Sequence, residues 1–241
     1  MLVKTHDFII RHALQLSSRK FRKHRKLLRD GCVLEDYPKI SSKEFQILGM
    51  THFYNPESKS GYPGLLTNAK KKGLSLFNEA LSLYKQEKFN ASFYTLGRSA
   101  HYLMDMASPS HTKLLFHLAE DDFEIYVDQN IHKFKFKIRS KLIKPTSPED
   151  CFEKLAFKSY KSKYKKRNKV FRGLIDFITN KKQPDPDKKL NRISKKLIKH
   201  SIVYTVALLN AFNRKIIKYK LVQKQKRFVN KIKTKSKDLV S

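Results

Sequence analysis

Tryptophan is absent from this 241-residue sequence, and cysteine, glycine and proline are scarce at two, seven and eight. Two cysteines cannot build a disulfide framework, and Cys32 and Cys151 lack the C-x-x-C spacing of a zinc knuckle. They leave one bridge or two buried thiols as the alternatives. So little Gly and Pro excludes a collagen-like or low-complexity chain. Long apolar runs are also missing. HSIVYTVALLNAFN (200–213) is too short to span a bilayer, and the opening MLVKTHDFII turns charged too early for a secretory signal. No Gly-rich phosphate loop or Ser-His-Asp set is recognisable.

What is present is aromatic and basic. Seventeen Phe, eleven Tyr and a hydrophobic fraction of 40% suit one folded domain with a sizeable core. The net charge of +32 is unevenly spread. Residues 1–130 hold 19 Lys and Arg against 14 Asp and Glu, a net +5, whereas residues 131–241 hold 34 against 7, a net +27. A field of that sign attracts phosphate, on nucleic acid or on anionic lipid. The bland alternative is a lysine-rich proteome that fills exposed positions with Lys by default.

Apolar residues recur at helical spacing almost throughout, with little period-two alternation, so the expected fold is an all-α, single-domain bundle. A first helix is expected over 5–29, carrying Phe8, Ile9, Ala13 and Leu16, with a loop over 30–41 and another over 51–66. Thr67 is placed to cap a helix to about Lys88, and Asn90 to cap the next, which ends near Met106 at Ser-Pro-Ser. Further helices are expected over 119–143, from a start in the loop 145–150 to about 180, and over 190–220, where Ile193, Leu197, Tyr204, Ala207, Leu208 and Ala211 share a face. Residues 1–221 form the expected domain and 222–241 a basic C-terminal tail.

The densest chemistry lies in HYLMDMASPSHTKLLFHLAEDDFE, 101–124. Three of nine histidines and five of 21 acidic residues fall in this stretch. His101 and Asp105, four apart, project from one helical face. The break at Ser108-Pro109-Ser110 turns the chain so that His111 can approach the same space, with His117 and Glu124 beyond. Imidazole and carboxylate are the donors zinc uses in catalytic sites. An isolated His-x-x-x-Asp pair is ordinarily solvated; five donors in 24 residues point to metal. His12, His24, His132 and His200 read as ordinary histidines. Phe53 and Tyr54 read as packing residues, and Glu120, Asp121 and Asp122 as a solvated turn or as acceptors for ligand imidazoles.

KTHDFIIRHAL, then EDY, HFYNP, GRSAHYLMDMASPSH and H-x6-E, in this order, resemble the bacterial zinc-dependent phospholipase C family over about residues 5–130, with a weaker helical echo at 190–220. The resemblance implies an all-α enzyme holding two to three zinc ions in a cleft. Asp36, His52, His101 and Asp105 would hold the first, His111, His117 and Glu124 the second, and His6 with Asp105 the third. In that family a mature N-terminal tryptophan completes the third site; here Met1 stands five residues before His6, so it substitutes or the site stays incomplete. Tyr37 matches an aromatic that cradles choline, while Gly49 stands where a second aromatic is expected, leaving half a cage.

The activity so implied is phosphodiester hydrolysis of phospholipid at an anionic membrane, by a metal-activated water with Asp36 as general base. Family members are usually secreted. The alternatives are a nuclease or nucleotidase related to the trinuclear-zinc single-strand nucleases, and a non-catalytic basic protein that binds membrane or nucleic acid. A nucleotide site would need aromatic faces for bases, and none is indicated.

Overall fold

A computed structural model of the chain describes residues 1–36, 50–115, 121–164 and 186–238. Helices dominate: α1 (Val3–Leu16), α2 (Arg19–Lys23), α3 (Arg25–Val33), α4 (Ala69–Lys85), α5 (Phe89–Asp105), α6 (Pro109–Thr112), α7 (Asp122–Asn130), α8 (Pro148–Tyr160) and α9 (Pro186–Asp238). Short 3-10 turns cover Leu34–Asp36, Ile131–Lys133 and Ser140–Leu142. Among the described residues the only β-type pairing is an isolated bridge between Asn55 and Ser60. The expected all-α class stands.

The centre of the bundle is α5, nearly every residue of which is buried from Ser92 to Asp105. It lies antiparallel to α4, as two buried serines show: Ser92 Oγ donates to the Ala80 carbonyl and Ser99 Oγ to the Gly73 carbonyl, each at 2.7 Å. On its other side α3 crosses very closely, because two glycines remove the side chains at the crossing. A Cβ on Gly31 would lie 2.0 Å from the Tyr94 carbonyl oxygen, and one on Gly97 2.3 Å from that of Leu28. Helix α9 packs against α1, α8, α5 and α4 and closes the core with Ile198, Ile202, Val206 and Phe212, none with measurable exposure.

Several boundaries differ from the periodicity reading. The helix expected over 5–29 is three pieces, because Ser17 and Ser18 are extended (ψ 175° and 152°) and Ser17 Oγ bonds back to the Leu14 carbonyl at 3.0 Å. Serine competes for backbone partners in this way, which breaks the helix although the apolar period continues. The loop expected from residue 30 begins later, since α3 runs to Val33. Asn68, not Thr67, caps α4 by accepting from Lys71 N–H. Asn90 is inside α5, which begins at Phe89 after a tight turn in which Glu87 takes φ 61°.

The helix expected over 119–143 ends at Asn130. Beyond it, Lys-Phe-Lys-Phe-Lys-Ile (133–138) does alternate: Phe134, Phe136 and Ile138 pack on the core while Lys133, Lys135 and Lys137 are exposed. Ser147 caps α8 and Pro148 opens it, as expected at a helix start. Helix α9 continues unbroken past Leu221 to Asp238. No helix among the described residues is long and apolar enough to cross a membrane. Cys32 and Cys151 are buried free thiols, the second of the two alternatives.

Candidate metal centre

Asp105 is the last residue of α5 and is fully buried, with His101 one turn before it. An ionised carboxylate in that position is costly unless cations or donors surround it. They do. Oδ1 lies 2.6 Å from the Met1 amine and 3.1 Å from His6 Nε2; Oδ2 lies 2.5 Å from His52 Nδ1 and 3.2 Å from His101 Nε2. Burial alone would raise the Asp105 carboxyl, but the ammonium at Met1 and the imidazoles hold it well below the usual carboxylate range.

A second carboxylate adjoins the first. Glu124 Oε1 is 3.2 Å from the Met1 amine and 3.2 Å from His111 Nε2. The His52 ring centroid lies 5.0 Å from that of His101 and 6.4 Å from that of His111. Six of the expected donors, His6, His52, His101, Asp105, His111 and Glu124, are therefore buried and contiguous. His6, His101 and Asp105 each offer a ligand atom within 4.8 Å of the other two.

The donor chemistry fits a metal ion. His6 is pushed down to about 4 by burial and by the neighbouring His101, so it is neutral at pH 7 with a lone pair to offer. His101 Nδ1 lies 2.8 Å from the Cys32 carbonyl. A carbonyl only accepts, so Nδ1 carries a proton, and Nε2, which faces Asp105 and His52, is the nitrogen left to ligate a metal ion. The Gly31–Gly97 crossing is what brings that carbonyl so close.

Each donor is positioned by its own local structure. Thr5 N–H donates to Asp128 Oδ1 at 3.1 Å, which ties the first turn of α1, and so His6, to α7. His52 and Phe53 sit in the irregular segment expected as a loop. Tyr54 N–H donates to the His111 carbonyl at 3.1 Å, and Ala69 N–H to that of Phe53 at the same distance. The Tyr54 hydroxyl donates to Glu153 at 2.6 Å, and Lys70 pairs with the same carboxylate. Phe53 and Tyr54 thus pack, as expected; the Phe53 ring lies 5.0 Å from that of His111.

Glu124 is aimed by a helix cap. Asp121 accepts from Phe123 N–H at 3.0 Å and from Glu124 N–H at 3.1 Å, and its other oxygen accepts from the Tyr164 hydroxyl at 3.1 Å. Asp121 is thus a buried capping residue rather than part of a solvated turn.

Three expected residues lie at the edge of what is described or outside it. Asp36 closes the 3-10 turn Leu34–Asp36, but its side chain is outside the described residues, as are Tyr37 and His117. The Cys32 carbonyl and the Asp121 cap were not legible as site components. A backbone carbonyl carries no residue signature, and a capping aspartate looks like any acidic turn.

The chain resembles known proteins in the same sense. The model of the family described as zinc dependent phospholipase C matches residues 5–226, well past the stretch that carries the motifs. A phospholipase C of Listeria monocytogenes is 33% identical over 94 residues, 36% of this chain and 32% of that protein. A phospholipase C of Bacillus cereus is 29% identical over 122 residues, 45% of this chain and 42% of that protein. The matches thus span less than half the length of these relatives.

The alpha-toxins of Clostridium absonum and Clostridium perfringens share the fold, each with a TM-score of 0.61 at 12% and 14% identity, covering 86% of this chain and 62% of theirs. With the buried His–Asp cluster, a family match over residues 5–226 leads to one conclusion: the chain belongs to the zinc-dependent phospholipase C family.

Proposed function

We propose that this chain is a zinc-dependent phosphodiester hydrolase that cleaves phospholipids. The observation that carries the proposal is the convergence of His6, His52 and His101 on the two oxygens of a fully buried Asp105. His6, His52, His101, Asp105, His111 and Glu124 would hold zinc, two to three ions per chain, with Asp36 and His117 completing the set. Zinc bound there supplies a Lewis acid for the phosphoryl oxygens and acidifies water toward neutrality.

The chain's own groups do the rest. Asp105 presents one oxygen to His6 and the other to His52 and His101, so it would serve ions held with either set. The Cys32 carbonyl keeps His101 in the tautomer that offers Nε2. Asp36 acts as general base, taking a proton from the water that attacks phosphorus. The bond between phosphorus and the glycerol oxygen breaks; that oxygen takes up a proton and leaves as diacylglycerol, while the water's oxygen stays on the phosphorylated headgroup. Tyr37 would recognise that headgroup through its aromatic ring. The basic half of the chain, residues 131–241, draws the protein to anionic membrane, where each nearby Lys or Arg contributes about 1 kcal/mol.

Incubation with dispersed phosphatidylcholine, and separately with single-stranded DNA, tests the substrate class. Diacylglycerol released while the DNA stays intact is the expected result. Cleaved DNA with untouched lipid would replace this reading by the nuclease one.

A further inference from the structure

The C-terminal part of α9 carries a face that the other described residues leave uncovered. Its last core residues are Phe212 and Ile216. Beyond them Ile217, Leu221 and Phe228 are 49%, 57% and 64% exposed. Their spacing of four and seven residues places them within about 40° of one another around the helix, at 100° per residue, so they form one stripe. The opposite face is held by α4, where the Lys85 ammonium lies 5.8 Å from the Tyr219 ring centroid, and on one flank the Lys220 ammonium lies 5.9 Å from the Tyr84 centroid. The register is therefore fixed, and the stripe points outward.

Exposed Lys218 and Lys220 stand on either side of it, about 80° from its centre, and Lys224 lies within it. An apolar stripe bordered by lysine is the pattern of a helix lying in a lipid interface, with alkyl and aromatic side chains among acyl chains and ammonium groups at the phosphates. From these contacts we infer that residues 217–228 form a membrane-seating ridge for anionic phospholipid. The inference rests on the proposed lipid substrate for its partner and adds where the lipid is gripped. A second copy of the chain fits the face poorly. Continuing the stripe at the three-four spacing of paired helices requires apolar residues at 224 and 231, which are Lys224 and Lys231. Nucleic acid would leave Ile217 and Leu221 in water.

The ridge is remote from the metal cluster. Phe212 packs on Phe93, with ring centroids 6.2 Å apart, and Phe93 precedes Asp105 by twelve residues, or about 18 Å along α5. Changes on the ridge therefore act on adsorption and leave the chemistry alone.

The test is co-sedimentation of the full chain with mixed phosphatidylcholine–phosphatidylserine vesicles, in brief contact on ice. The wild type is compared with the double variant Leu221→Ser, Phe228→Ser, alongside hydrolysis of a water-soluble phosphodiester. Both positions are more than half exposed, so the variant folds. A loss of at least about tenfold in partitioning with unchanged soluble turnover is expected from the apolar contacts removed. Equal partitioning of the two proteins overturns the ridge, as does a wild type that ignores anionic vesicles. Loss of self-association in the ultracentrifuge without loss of vesicle binding also overturns it and assigns the stripe to a second copy. A wild type that adsorbs through the stripe yet hydrolyses no phosphodiester leaves the ridge standing and refutes the enzyme reading alone.

Discussion

The two ends of α5 and its neighbours spend polar residues in opposite ways. At the C-terminal end, charged and ionisable groups are buried: Asp105 and His101 have no exposure, and His6 has 1%. At the other end, where α9 leaves the bundle, lysines are exposed and apolar residues join them in solvent. Burying a carboxylate among imidazoles costs stability unless a ligand repays it, whereas a basic apolar stripe costs little until it meets a surface. The buried end suits chemistry and the exposed end suits docking.

The sharpest way to break that comparison is to neutralise the buried carboxylate. Asp105→Asn should strip zinc and lower phosphodiester turnover by about a thousandfold, since several kcal/mol of charge stabilisation depend on the bound metal. Full zinc with normal turnover would sink the assignment. Vesicle adsorption should be unchanged in the same variant, because the ridge lies elsewhere.

A smaller effect sharpens the buried end. Gly97→Ala places a methyl group 2.3 Å from the Leu28 carbonyl oxygen. Forcing α3 from α5 should cost about 1–3 kcal/mol, read as a lower melting temperature. It should also weaken zinc binding by about 10–100-fold, as the Cys32 carbonyl is drawn away from His101. Destabilisation with undiminished zinc affinity would remove the carbonyl from the site's support.

The smallest effect concerns a histidine outside the site. His200 on α9 is lowered to about 4 by burial and by Lys158, Lys196 and Lys199. The unfolded chain therefore binds the extra proton first, and stability is lost as pH falls from about 6.5 toward 4. His200→Gln should flatten that limb of the unfolding free energy against pH by less than about 2 kcal/mol, because the ring is only half-buried. An identical acid limb in the variant would place the sensitivity elsewhere.

How much of this was legible in the sequence follows from the kind of signal each element carries. His101 and Asp105 read directly, because i,i+4 spacing fixes a shared face, and the Ser-Pro-Ser break announced the turn that brings His111 back. Glu124 was read from the density of donors in 101–124, His6 and His52 were placed by family resemblance, and all three meet the cluster in the fold. The break at Ser17–Ser18 was hidden because the apolar period runs through it. The alternation from Lys133 to Ile138 was masked by its shortness and by the helix before it. Gly31 and Gly97 gave no warning, because a close helix crossing is a property of two distant segments at once.

Metal content shows whether the buried cluster is a zinc centre. Elemental analysis of the protein, purified without a histidine tag or chelator, should return two to three zinc ions per chain, falling when Asp105 is replaced by asparagine. Stably folded protein holding no zinc would contradict the account and leave a basic helical protein whose only supported role is adsorption.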